Sequence, residues 1–150
     1  KRQLQKKDGE IHFGRRDINS VENSLDLNFN IDNYKYLSLR FRNFWSTANY
    51  DNVLFSLKND GMRELTDHSK LDFDPNTNFN LWNLDLNFDW WFSPGSTITL
   101  QYKNQIFNRD NESGLKYYKS LKNLFEFPVE HQLSLRINYL IDFNKLRRND

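Results

Sequence analysis

From Trp82 to Phe92 every even position carries a large apolar side chain: Trp82, Leu84, Leu86, Phe88, Trp90 and Phe92. The odd positions carry Asn83, Asp85, Asn87, Asp89 and Trp91. A two-residue period with one greasy and one polar face is the pattern of a β-strand. Ser93-Pro94-Gly95-Ser96 then reverses the chain, because proline presets one turn dihedral and glycine accepts positive φ. The return strand places Ile98, Leu100, Tyr102 and Ile106 on one face and Thr97, Thr99, Gln101, Lys103 and Gln105 on the other. The spacing predicts one long hairpin over 78–107.

The same alternation recurs on both sides of this hairpin. From Val21, Leu25, Leu27, Phe29 and Ile31 oppose Asp26, Asn28 and Asn30, and Asp32-Asn33 offers a tight turn. A longer strand follows, with Leu37, Leu39, Phe41 and Trp45 against Ser38, Arg40 and Arg42. It resumes at Val53, Phe55 and Leu57, which places a bulge near Ala48. Residues 1–16 are mixed and basic, and Ile11-His12-Phe13 reads as the end of an earlier strand. The segment 59–77 reads as a polar loop. Within the connection 108–130, Leu115, Tyr118, Leu121 and Phe125 fall near helical spacing, so a short helix is expected there, ended by Pro128. The last strand carries Leu133, Leu135, Ile137, Tyr139, Ile141 and Phe143 against Ser134, Arg136 and Asn138. The fold expected is all-β: an antiparallel up-and-down meander of five or six long strands.

Connection lengths alternate between short turns and long loops. In a meander this puts all short turns at one end, the asymmetry of an outer-membrane barrel. Transmembrane strands need ~9–11 residues, whereas soluble strands average about 5–6. Trp82 and Trp90 share a face eight positions apart. At ~3.3 Å per residue that is about 26 Å along the strand, or roughly 19 Å of depth at a ~45° tilt, close to the spacing of two aromatic girdles. The expected membrane-interface aromatics are Trp45, Trp82, Trp90 and Phe92, with Trp45 level with Trp82 and Trp91 turned into the lumen. Asp26, Arg40, Arg42, Asp85, Asp89, Lys103 and Arg136 form the expected lumen-facing charge ladder, since opposite charges across strands stabilise by ~0.2–1 kcal/mol per pair. A soluble β-sandwich alternates in the same way, so an all-β binding module stays open at this point. Five strands do not close a barrel, whose smallest natural forms have about 8. The chain is therefore expected to be a C-terminal segment of a longer protein, with the other strands upstream.

Composition narrows this picture only a little. Aromatics make up 16% of the 150 residues, yet the mean hydropathy is -0.87. That combination suits a two-faced sheet. The formal charge of +1 and the scattered basic residues argue against nucleic acid. With no cysteine there is neither a disulfide framework nor a thiolate metal site. No apolar run is long enough for a transmembrane helix, and Lys1 to Asp8 is not a signal peptide.

Four phrases resemble one family: FGRRDINSVENSL at Phe13–Leu25, LSLRFRNFWSTANY at Leu37–Tyr50, WWFSPGSTITLQYKN at Trp90–Asn104 and LSLRINYLIDFNKL at Leu133–Leu146. They are similar to the C-terminal part of an uncharacterised envelope β-barrel domain of Gram-negative bacteria. In that family the barrel typically follows a domain similar to family-nine carbohydrate-binding modules. The resemblance implies an outer-membrane location, with lipid and upstream strands as partners and a link to glycan handling. It supplies no catalytic motif.

Candidate chemistry in the residues themselves is sparse. Asp72-x-Asp74-x-Asn76 resembles the start of a calcium loop, but Thr77 and Asn83 stand where glycine and glutamate are needed. His12, His68 and His131 lack the close pairing of metal ligands. Glu112, Glu126 and Glu130 include no pair that sequence can place for glycoside hydrolysis. Tyr117 and Tyr118, in the last loop, are candidate ligand contacts by ring stacking. No cofactor is expected. The expected role is structural or transport-type, with an envelope-anchored glycoside hydrolase, its active site outside this segment, as the alternative.

Overall fold

The structure is a computed structural model and describes residues 2–7, 10–71 and 73–141. β1 (Arg2–Lys7) is followed by β2 (Glu10–Asp32), β3 (Lys35–Leu57) and the short β4 (Arg63–Thr66). Next come β5 (Thr77–Ser93), β6 (Ser96–Asp110), helix α1 (Tyr117–Leu124) and β7 (Glu130–Asn138). Neighbours hydrogen-bond in the order β1-β2-β3-β5-β6-β7, with β4 paired to β3. This is an antiparallel meander with one short helix, as the alternation predicts. Among the described residues β1 and β7 do not pair, so the sheet is open.

Several boundaries differ from the sequence reading. Ile11-His12-Phe13 does not end an earlier strand; it lies inside β2, and β1 pairs with that part, Arg2 opposite Gly14 and Lys7 opposite Glu10. The segment 59–77 is not all loop. Asn59-Asp60-Gly61 makes a turn with Gly61 at φ 82, and β4 returns along β3 with Leu57 opposite Arg63. The Asp-Gly pair was a legible hairpin signal. β7 stops at Asn138 because the Leu140 N–H leaves the ladder and donates to the Ser96 hydroxyl at 3.0 Å. Tyr139 and Ile141 therefore follow the strand, and Phe143 lies outside the described residues.

The chain divides into two compact units. The first comprises residues 1–22, 44–81 and 107–127; the second comprises 23–43, 82–106 and 128–150. In the first, Trp45, Tyr50, Leu54 and Leu124 are the buried apolar residues, accompanied by buried His12, Thr47, Ser56, Asn78, Asn80 and Ser120. Along β3 burial falls on odd positions through Thr47 and on even positions from Tyr50. That one-residue slip lies where the sequence places a bulge. Helix α1 turns Tyr117, Ser120, Leu121 and Leu124 inward, while Tyr118 is 81% exposed. The helical face expected through Leu115, Tyr118 and Phe125 is thus rotated, because the ring of Tyr117 packs edge-on against Trp45 at 5.7 Å.

In the second unit Ile106 is the single buried hydrophobic residue among those described. Its hairpin turns are tightly specified. Gly95 sits at φ 73, the i+2 position of a Pro94-Gly95 turn. A Cβ there would approach Leu140 Cδ2 to 2.5 Å and its Cβ to 3.1 Å. Gly95→Ala is expected to cost about 1–3 kcal/mol through backbone strain, read as a lower urea midpoint. Combining it with Leu140→Ala should recover only the steric part.

Candidate functional face

The second unit carries a sheet whose two faces differ sharply. Its strand portions are 23–32 of β2, 35–43 of β3, 82–93 of β5, 96–106 of β6 and 130–138 of β7. They are nine to twelve residues long. Cross-strand partners fix which residues share a face. Ile98 lies opposite Ile137, Leu100 opposite Leu135 and Tyr102 opposite Leu133. The ring of Phe41 meets Trp82 at 4.4 Å. By strand parity the apolar side chains of β2, β3 and β5, among them Leu25, Leu27, Leu39 and Leu86, accompany Leu135 of β7 in this sheet. Among the described residues, no helix of this unit covers it. Phe29 is 62% exposed, Leu133 71% and Ile137 59%.

The other face is tied together by polar side chains. Arg40 Nε donates to Asp26 Oδ1 at 2.6 Å, and the Tyr36 hydroxyl to Asn28 at 2.6 Å. Asn87 donates to the Ser38 hydroxyl at 3.4 Å and accepts from Gln101 at 2.7 Å. Thr99 donates to Asp89 at 2.6 Å, and Lys103 stands 3.9 Å from Asp85. A cavity of about 300 Å³ opens on this face, with Asn83, Asp85, Lys103, Gln105, Glu130 and Gln132 among its lining. Amides and carboxylates together offer donors and acceptors in quantity.

The expected ladder residues all lie in this unit, though not all pair as charges. Asp26 meets Arg40, and Asp85 meets Lys103 at the limit of an ion pair. Asp89 instead takes a hydroxyl. Arg136 lies opposite Thr99, and Arg42, on β3, is engaged by a partner of its own. The Arg40 and Asp26 side chains are 71% and 56% exposed, so Arg40→Ala is expected to leave the urea midpoint unchanged within its scatter.

The interface aromatics are placed as follows. Trp90 is 38% exposed, contacts Phe92 edge-on at 5.9 Å and has the Lys35 ammonium 5.9 Å from its ring centre. Phe92 stacks on Tyr139 at 6.2 Å. The ring that Trp82 meets is that of Phe41, four positions before Trp45. Trp45 belongs to the first unit and is 6% exposed. Its indole N–H donates to Asn78 Oδ1 at 2.9 Å.

That bond opens a network the sequence reading missed. Asn78 Oδ1 also accepts from the Ser120 hydroxyl at 3.2 Å, and its amide nitrogen donates to Asp110 at 3.1 Å. The neighbouring Asn80 donates to the same Ser120 hydroxyl at 3.2 Å. The available signal was parity: on β5 the even positions are apolar from Trp82 onward, but 78 and 80 are asparagine. Of the candidate loop contacts, Tyr117 is engaged by Trp45, and Tyr118 lies open beside it at 5.2 Å.

The weaker sequence candidates remain apart. Asp74 Oδ1 accepts the Asn76 N–H at 2.9 Å, and Asn76 Oδ1 accepts that of Tyr50 at 2.8 Å. Asp72 lies outside the described residues. His68 bonds the Asp51 carbonyl at 3.0 Å and His131 the Tyr102 hydroxyl at 2.8 Å.

One family, described as a domain of unknown function (DUF5916), matches residues 2–149. No curated protein and no solved structure matches the chain.

Proposed function

The chain belongs to the DUF5916 family, and from that premise we propose that it is a segment of an outer-membrane β-barrel with a structural or transport-type role. The observation that carries this reading is the uncovered apolar face of the second unit. A sheet face of that size in water needs a second layer, and Ile106 is the single buried hydrophobic residue of the unit among those described. Lipid supplies the missing layer. The strands that run through this unit, of 23, 23, 17, 15 and 9 residues, are long enough for the ~9–11 needed to cross the hydrocarbon region. The polar face then lines an aqueous interior, and further strands pair with the open edges of β1 and β7, because lipid tolerates no unpaired edge. Carbohydrate is the proposed solute class. The amide- and carboxylate-rich cavity around Asp85 and Gln105 supports it.

Brominated lipids test the proposal. Four variants, each retaining one tryptophan with the others changed to phenylalanine, are reconstituted into vesicles. Trp82 and Trp90 are expected to be quenched by bromine on the acyl chains, while Trp45 and Trp91 stay protected. A monodisperse, detergent-free monomer with all four unquenched would point instead to a soluble all-β binding module.

A further inference from the structure

We infer that the second unit holds a saccharide-binding cup at its two hairpin turns, separate from the polar-face cavity. A cavity of about 530 Å³ lies there, bounded by residues 32–35 of one turn and 90–95 of the other. That volume is in the range of small-molecule sites. The inference goes beyond the membrane reading and does not depend on it.

The cup is preorganised. Asp32 Oδ1 accepts the Tyr34 N–H at 2.8 Å, and the Tyr34 carbonyl accepts the Trp91 N–H at 2.8 Å, which clamps one turn to the end of β5. Pro94 and Gly95 set the second turn. A backbone held by such bonds loses little freedom on binding. Tyr34 and Trp91 line the cup and are 62% and 47% exposed, so both offer open ring surface there.

The charges on the rim select against ionic ligands. Lys35 Nζ bonds Asp32 Oδ2 at 2.9 Å and lies near the Trp90 ring, so the one cation and the one anion lining the cup neutralise each other. A phosphate would meet the Asp32 carboxylate, and an ammonium group would compete with Lys35. What is left unengaged is neutral and hydrogen-bonding: among the described residues, the Asn33 amide, the Ser93 hydroxyl and the Tyr34 phenol that line the cup have no side-chain partner. An apolar peptide would strand these groups. A neutral ligand with a flat C–H face and many hydroxyls satisfies both walls and rim, and that is a sugar ring.

The test uses the full chain in detergent micelles with maltotriose and triacetylchitotriose as probes. Saturation-transfer NMR is expected to show transfer to at least one of them. Trp91→Ala should weaken binding about tenfold, equivalent to ~1.4 kcal/mol, and Trp91→Phe should restore most of it. Tyr34→Ala should weaken binding similarly, with unchanged far-ultraviolet dichroism in each variant. Bromolipid quenching of Trp82 should be the same in all of them, so loss of the cup and loss of the membrane reading are told apart. Absence of transfer from both saccharides, or transfer unaffected by Trp91→Ala and Tyr34→Ala, overturns the inference.

Discussion

Leu86→Arg is expected, on the proposed barrel reading, to destabilise the vesicle-reconstituted chain by about 2–4 kcal/mol, the cost of arginine on a lipid-facing strand surface near the bilayer midplane. Leu86 lies on the apolar face of β5, midway between Trp82 and Trp90. Its neighbour Asn87 lies on the polar face, bonded to Ser38 and Gln101. Asn87→Arg should cost only the two hydrogen bonds, about 0.5–1.5 kcal/mol each. Depth supplies the discriminating measurement. Ile98, opposite Ile137 and two residues into β6, belongs to the same apolar face near the turn. Ile98→Arg should cost roughly 0–1 kcal/mol, because the penalty falls toward the interface. Urea midpoints in vesicles of short and long acyl chains read all three variants. A soluble sandwich would penalise Ile98→Arg and Leu86→Arg alike and would ignore acyl length.

Asn78→Leu is the second large effect. Asn78 is 1% exposed and serves three partners at once. Leucine has similar bulk but neither accepts from the Trp45 indole and the Ser120 hydroxyl nor donates to Asp110. Each stranded buried group costs about 1–3 kcal/mol, so a total loss of about 3 kcal/mol or more is expected. Ser120→Ala removes one hydroxyl that both Asn78 and Asn80 use, and should cost less, about 1–2 kcal/mol. Near-ultraviolet dichroism of Trp45 and amide exchange in α1 should report the loosening in the first unit. If Asn78→Leu leaves the urea midpoint unchanged, the network holds nothing together.

These two sites differ in how far they can be read from the chain alone. Leu86 and Asn87 are legible because a strand's side chains alternate by geometry, so an eleven-residue run declares its faces without knowledge of its neighbours. Asn78 looks like one more polar residue of an asparagine-rich segment. Its burial depends on α1, which is distant in sequence and contributes Ser120. The helix itself was expected from spacing, yet its inward face was misjudged by about one position. Tyr117 rather than Tyr118 meets Trp45, and a ring contact between remote segments leaves no trace in local periodicity.

The cup at the turns shows the same division. Asp32-Asn33 and Pro94-Gly95 announce their turns through composition, because their backbone preferences are intrinsic. That the two turns lie side by side, with the Tyr34 carbonyl accepting from Trp91, follows from the pairing of β3 with β5 across the polar segment 59–77. Sequence alone determined the strands, the turn residues and the two-faced character of the sheet, since each is a property of neighbouring residues. Tertiary structure alone decided the end of β7, the buried asparagine network and the sharing of a cavity by two turns, since each requires contact between residues that the chain keeps far apart.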